Sequence, residues 1–208
     1  MNTIKSEIVK YGRIAFEHNL VFGASGNISI KSKNKIFITK SGSYLGYLTE
    51  KDILCFDFNR NKPECASMET QMHLNCYAAN PEISAVFHSQ PLYATIIASS
   101  NLKINLNYIP ESMYYINKIG YIPYAHAGSL KLAELTGNKA KDCDIILLKN
   151  HGLTVTAKNL NEALLKTISF EFLAASTVSV NQKKIKLIFL SEQTRNDFKN
   201  QIYKNKKK

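Results

Sequence analysis

The chain predicts an α/β (α+β) fold: a three-layer αβα domain with a mainly antiparallel central sheet. Three observations carry this. Helical and strand periodicities alternate irregularly along the chain, an arrangement that favours mixed layers over a repeating βαβ order. An early hairpin brings antiparallel pairing, with Ile28-Ser29-Ile30 and Ile36-Phe37-Ile38 flanking the turn Lys33-Asn34-Lys35. The continuous apolar run Ile145-Ile146-Leu147-Leu148 marks a strand covered on both faces. Neither G-x-G-x-x-G nor G-x-x-x-x-G-K-[ST] occurs, so a nucleotide-binding Rossmann or P-loop order is not expected. With 208 residues, one domain over 1–190 and a basic helix or tail over 191–208 account for the length.

The elements follow in order. Ile4, Ile8, Tyr11, Ile14 and Ala15 recur at helical spacing between Asn2 and Asn19, and Gly23-Ala24-Ser25-Gly26-Asn27 breaks that helix. After the hairpin and the loop Thr39-Lys40-Ser41-Gly42, a short strand is expected from Ile53 to Phe58. A helix from Met68 ends at Asn80-Pro81, because the residue before proline is pushed out of helical geometry. Ile83 to Phe87 reads as a strand running into His88, and Leu92 to Ser99 as a helix. A short helix follows around Met113 to Asn117, an extended piece at Tyr121 to Tyr124, and a helix at Leu130 to Thr136. Val155 pairs near the apolar run, Leu160 to Val180 is a long helix, and Ile185 to Leu190 is expected as a last strand before a charged helix and a frayed end.

Charge narrows the function classes. The formal net charge is +11, yet nine Lys/Arg against Glu192 and Asp197 lie in 181–208, a net +7 that leaves +4 for residues 1–180. A lysine-rich end of this kind reads first as a solvated segment, so nucleic acid is not the expected partner. No run approaches the ~20 apolar residues that span a bilayer, and the start Met1-Asn2-Thr3-Ile4-Lys5 lacks a signal-peptide core, so a cytoplasmic protein without membrane contact is expected. Cys55, Cys65, Cys76 and Cys143 show no C-x-x-C spacing and read as reduced, buried small hydrophobes.

Chemistry concentrates in three pieces. Phe87-His88-Ser89-Gln90 and Lys149-Asn150-His151-Gly152 each put an imidazole at the end of an apolar strand, and loops at strand ends can bring such groups to one metal. Ser67-Met68-Glu69 places an acid at a helix start, where the helix dipole alone would also favour it. His73 lies one helical turn further on and shares a face with Glu69, as structural support. Taken singly, each histidine reads as a core or turn residue, and Glu69 as a plain helix-start acid.

Together, in this order, the pieces resemble the class II aldolase/adducin head family. Gly26-Asn27-Ile28-Ser29 is similar to its G-N-[IV]-S, Ile38-Thr39-Lys40-Ser41-Gly42 to I-T-P-[ST]-G, and Leu48-Thr49-Glu50-Lys51-Asp52-Ile53 to L-T-x-x-D-I. Ser67-Met68-Glu69 with His73 resembles S-S-E-x-x-x-H, Ala85-Val86-Phe87-His88-Ser89-Gln90 resembles A-V-x-H-x-H, and Asn150-His151-Gly152-Leu153 resembles N-H-G-[LVI]. The resemblance runs from about Ile4 to Ala175. It implies a metal-dependent lyase, with the metal stabilising an enediolate, and a homo-oligomer, a C4 tetramer, with sites between neighbours. Carried over residue by residue, it implies His88, Gln90 and His151 as the metal positions and Glu69 as the acid or base. Tyr114 falls where the family has a proton donor from a neighbouring subunit, or packs at the interface. Gly26, Asn27, Ser41, Gly42 and Ser67 fall where sugar-phosphate members hold a phosphate, a task suited to backbone N–H groups and short hydroxyls.

Two departures qualify the resemblance. Gln90 replaces the second histidine of H-x-H, and an amide oxygen suits Mg, Ca or Mn better than Zn. Gln90 as an oxygen ligand is the first reading, decay of the site into a binding or scaffolding paralogue the second, and replacement by His126 in Tyr124-Ala125-His126 the last. Met68 stands where many members have serine, which leaves the phosphate pocket one hydroxyl short. The expectation is a lyase acting on a small sugar-phosphate or keto-sugar substrate through a divalent metal, zinc first, with manganese or cobalt admitted by Gln90. An adducin-head-like scaffold is the alternative, and a decarboxylase or dehydratase of a keto-sugar phosphate the alternative within the class.

Overall fold

A computed structural model describes residues 2–205, with side chains described over 3–201. The lysines Lys206, Lys207 and Lys208 of the expected frayed end lie outside the described residues, as does the side chain of Lys204. Seven helices surround one seven-stranded sheet: α1 (Asn2–Glu17), β1 (Asn27–Ser32), β2 (Lys35–Thr39), β3 (Ile53–Asp57), α2 (Thr70–Ala79), β4 (Ala85–Ser89), α3 (Leu92–Ala98), α4 (Pro110–Tyr115), β5 (Ile119–Ile122), α5 (Leu130–Ala140), β6 (Ile145–Leu148), β7 (Gly152–Ala157), α6 (Leu160–Lys183) and α7 (Glu192–Asn205). The strand order is β3-β2-β1-β4-β7-β6-β5, and every neighbouring pair is antiparallel except β5 with β6. This is the three-layer, mainly antiparallel architecture expected from the sequence.

Strand alternation sorts side chains to the two faces. Ile28, Phe37, Ala85, Phe87, Leu153 and Val155 share a core with Ile8, Ala15, Phe170 and Ala174 of α1 and α6. Ile36, Ile38, Val86, Ile146 and Leu148 face the other way, onto Met72, Tyr77 and Leu132 of α2 and α5. The helix ends are locally determined. Asn159 Oδ1 accepts from the Glu162 N–H at 2.9 Å to start α6, Ser129 Oγ accepts from the Leu132 N–H at 3.1 Å to start α5, and Asn80-Pro81 stops α2. By length and composition α6 could cross a membrane, but its apolar side is committed to the core through Leu164, Phe170, Leu173 and Val178.

Several expectations differ from the structure: the short helix runs Pro110–Tyr115, not Met113 to Asn117, and the extended piece Ile119–Ile122, not Tyr121 to Tyr124. The strand expected at Ile83 begins two residues later, so His88 lies inside β4 and not beyond it. Residues 185–190 form no strand: Leu190 N–H donates to Asn107 at 2.8 Å, but no sheet edge runs beside the segment and Ile188 is 92% exposed. The apolar run Leu187-Ile188-Phe189-Leu190 had β propensity without a partner. Cys65 is exposed and Cys55 half-buried, so only Cys76 and Cys143 are the buried small hydrophobes expected of all four.

Candidate metal centre

The site sits where β4 ends and β7 and α2 begin, on the α2 side of the sheet. Alternation in β4 sends Val86 and His88 toward α2, while Ala85 and Phe87 go to the opposite core. In α2, Glu69, His73 and Tyr77 recur every four residues and form one stripe facing β1 and β4. His151 lies in the tight turn between β6 and β7, closed by its N–H donating to Leu148 at 3.0 Å, with Asn150 in left-handed geometry at φ 55°.

Two glycines permit this approach. A Cβ on Gly152 would stand 2.6 Å from the Ser89 carbonyl oxygen and 3.0 Å from Gln90 Cγ. A Cβ on Gly26, whose φ is +80°, would stand 2.9 Å from the His88 carbonyl oxygen. Both residues let neighbouring chain segments close on the end of β4.

The functional atoms converge tightly. Glu69 Oε2 is 2.9 Å from His88 Nε2, and Glu69 Oε1 is 3.5 Å from His151 Nε2. The two imidazoles meet edge to face with centroids 4.9 Å apart. One ligand atom from each of Glu69, His88 and His151 lies within 4.8 Å of the others. Glu69 is 5% exposed and stands at the N-cap of α2, yet its side chain makes no capping hydrogen bond and turns to the imidazoles.

The proton inventory defines what fits there. His88 Nδ1 lies 3.0 Å from the Leu153 carbonyl oxygen, an acceptor only, so that nitrogen carries the proton and Nε2 offers a lone pair. Gln90 Nε2 donates to that lone pair at 2.7 Å, leaving Gln90 Oε1 buried without a donor. Both Glu69 oxygens are likewise buried without a donor. The His88 lone pair and the Glu69 carboxylate, with His151 Nε2 beside them, thus face one point with too few protons, and a divalent cation satisfies them together. The residues present fit a metal. His88 with its outward nitrogen anchored on a backbone carbonyl is the usual support for a metal-ligating imidazole.

With His88 protonated on both nitrogens and no cation bound, Nε2 donates to Glu69 Oε2 instead, and the charges then act on one another. Burial pushes the Glu69 carboxyl up, but the imidazoles of His88, His151 and His73 outweigh it and bring it down to about 2. Such a shift needs positive charge beside the carboxylate, from a protonated imidazole or a bound cation. Burial and the charge of His88 hold His73 down to about 3 and lower His151 as well, with Glu69 opposing in both cases.

The other positions singled out in the sequence divide into two groups. The bridge Lys40–Ala66, the Ser41 N–H to Cys65 bond at 3.0 Å and the Ser67 N–H to Thr39 bond at 3.2 Å tie loops 39–42 and 65–67 together. This brings Ser41, Gly42 and Ser67 beside the start of α2, and the Ile28 N–H bond to Thr39 Oγ1 at 3.4 Å brings Gly26 and Asn27 to the same loops. Gly42 is exposed at φ +74° with open space where a Cβ would stand. Tyr114, in contrast, lines a cleft of about 680 Å³ with Asn80 and Ala157, at the end of β7 opposite Gly152. One chain therefore does not bring Tyr114 to Glu69. His126 is exposed and pairs with Tyr124 at 3.2 Å, outside the cluster, although its neighbour Gly128 packs on Met68.

Sequence reasoning missed the supports of this centre. Leu153 and Thr154 anchor His88 Nδ1, and Ser29 with Tyr77 holds His73. Tyr77 at eight residues from Glu69 was the available signal, a third member of the α2 stripe.

Comparison with known proteins places the chain. Residues 6–178 match the family model for the class II aldolase and adducin N-terminal domain. The L-fuculose phosphate aldolase of Methanocaldococcus jannaschii is 38% identical over 178 residues, which are 84% of this chain and 95% of that protein. The 3-oxo-tetronate 4-phosphate decarboxylase of Haemophilus influenzae is 32% identical over 194 residues, covering 88% and 91%. A solved L-fuculose 1-phosphate aldolase superposes with a TM-score of 0.86 at 26% identity, over 98% of this chain and 97% of that one.

Proposed function

The chain belongs to the class II aldolase and adducin N-terminal domain family, and from that membership we propose a metal-dependent carbon–carbon lyase acting on a small sugar-phosphate or keto-sugar substrate. The observation that carries the reading is Glu69: a buried carboxylate, without a hydrogen-bond donor, facing two imidazoles from separate strand ends. A scaffold would have no use for so costly an arrangement.

In this reading His88 and His151 hold a divalent cation, zinc or, with the Gln90 amide oxygen, manganese or cobalt. The cation supplies Lewis acidity toward a carbonyl and its neighbouring hydroxyl. Glu69 moves a proton at the carbon beside that carbonyl, a role suited to a carboxylate within reach of the same point. The His88–Leu153 bond keeps the ring turned with its lone pair inward. Gly26, Asn27, Ser41, Gly42 and Ser67 line the entrance and bind a phosphate through backbone N–H groups and short side chains. Tyr114 contributes the proton for the departing oxygen from a second copy, in a homo-oligomer of C4 form. The setting is cytoplasmic.

The test is Glu69→Gln, which keeps the shape and removes the base. Turnover of a phosphorylated ketose should fall by at least ~10²-fold while the fold and the assembly persist. Unchanged turnover would remove Glu69 from the mechanism. A second reading, decarboxylation of a keto-sugar phosphate, is favoured by the Haemophilus influenzae relative and by Met68, which is 57% exposed where many family members have a serine. Release of carbon dioxide from a 3-keto acid phosphate, without aldehyde formation, selects it.

A further inference from the structure

Behind the metal centre runs a file of buried polar groups that the chemistry above leaves unused. Tyr77 Oη is 2.6 Å from Ser29 Oγ, Ser29 Oγ is 2.7 Å from His73 Nδ1, and His73 Nε2 is 2.6 Å from Asn27 Oδ1. Tyr77, Ser29 and His73 are at most 1% exposed, and Asn27 is 7% exposed.

The direction of the file follows from counting protons. Tyr77 Oη is buried between α2 and the sheet, where it meets the Ser29 hydroxyl. The Tyr77 proton then has one acceptor among the described residues, Ser29 Oγ. Ser29, already accepting, gives its own proton to His73 Nδ1. With Nδ1 accepting from Ser29, the ring proton of His73 sits on Nε2 and is donated to Asn27 Oδ1. With Oδ1 committed, the Asn27 amide has its two N–H donors left for the loop mouth beside Gly26. The reverse direction would strand the Tyr77 proton in the core, at a cost of about 1–3 kcal/mol.

We propose that Tyr77, Ser29 and His73 are positioning residues that lock the Asn27 amide with its NH2 toward the entrance, so that the site selects an anionic oxygen ligand there. An unlocked asparagine would present its carbonyl oxygen half the time and repel an anion. The inference rests on the phosphate-binding reading above, and extends it from the residue that touches the ligand to the three that aim it. Asn27 stands opposite His88 in the β1–β4 register, so its orientation is fixed relative to the metal ligands as well.

The experiment combines imidazole ¹⁵N NMR of His73 with calorimetric titration of inorganic phosphate into the metal-loaded, full-length protein. The wild type should show the single Nε2–H tautomer. Asn27→Asp, which puts an oxygen where the NH2 stands, should weaken phosphate at least about tenfold. Tyr77→Phe should populate the second tautomer and weaken phosphate about three- to tenfold. Ser29→Ala removes the same proton path from its middle, should move both readouts alike, and serves if Tyr77→Phe does not fold. An Nδ1–H tautomer in the wild type overturns the proposal. So does phosphate affinity lost in Asn27→Asp but unchanged in both Tyr77→Phe and Ser29→Ala. A wild type with the Nε2–H tautomer that takes up no phosphate overturns the underlying phosphate reading instead.

Discussion

Gln90 decides the character of the centre. Its amide stands where the resembled H-x-H motif has its second histidine, and Gly152 leaves it room. A half-turn of the amide exchanges a donor for an oxygen at the same place, so the residue can serve as a weaker, harder ligand than histidine. Gln90→His should therefore raise zinc affinity by at least about tenfold, as measured by competition with a chromophoric chelator, and favour zinc over manganese. Zinc affinity equal to that of the wild type would mean that position 90 does not face the cation. His88, His151, Glu69 and Gln90 were legible in the sequence because each sits in a short, ordered motif. The pairing of His73 with Asn27 was not, since it depends on how β1 lies under α2.

At the scale of elements, the alternation of β4 and the four-residue period of α2 do the placing. Val86 and His88 face α2 because Ala85 and Phe87 face α1 and α6. The turn between β6 and β7 completes the site only because Gly152 can lie against Ser89. Gly152→Ala would force its Cβ toward a backbone oxygen 2.6 Å away, and should cost about 1–3 kcal/mol of stability while displacing His151. Denaturant unfolding checks the first effect and metal affinity the second; a variant as stable and as metal-avid as wild type would contradict this account of the turn. Most element positions could be read from periodicity and from proline and glycine punctuation. The segment 185–190 could not, because strand propensity is local and a hydrogen-bonding edge is not.

For the whole molecule, the sheet separates Glu69 from Tyr114. They lie at opposite ends of β7, so any shared chemistry has to join two chains. Glu69→Gln and Tyr114→Phe, each of low activity alone, should recover activity when mixed and reassembled, with about a quarter of the sites intact in random assemblies. Activity that never exceeds the sum of the two would place Tyr114 outside the mechanism. The layer order and the mainly antiparallel sheet were legible from the irregular element order and the early hairpin. This distance was not, since it appears only once the chain is folded. The C-terminal basicity also gains a structural context: Arg195 donates to the Asn117 carbonyl at 3.0 Å, docking α7 beside α4.

The central claim is that His88 and His151 meet at one divalent cation with Glu69 beside it. Anomalous diffraction from crystals grown with zinc, and separately with manganese, tests it most directly. One anomalous peak bonded to both His88 Nε2 and His151 Nε2, absent in His151→Ala, is the predicted result. Crystals with full metal in solution and no peak between those nitrogens, or with Glu69 turned away from them, would contradict it.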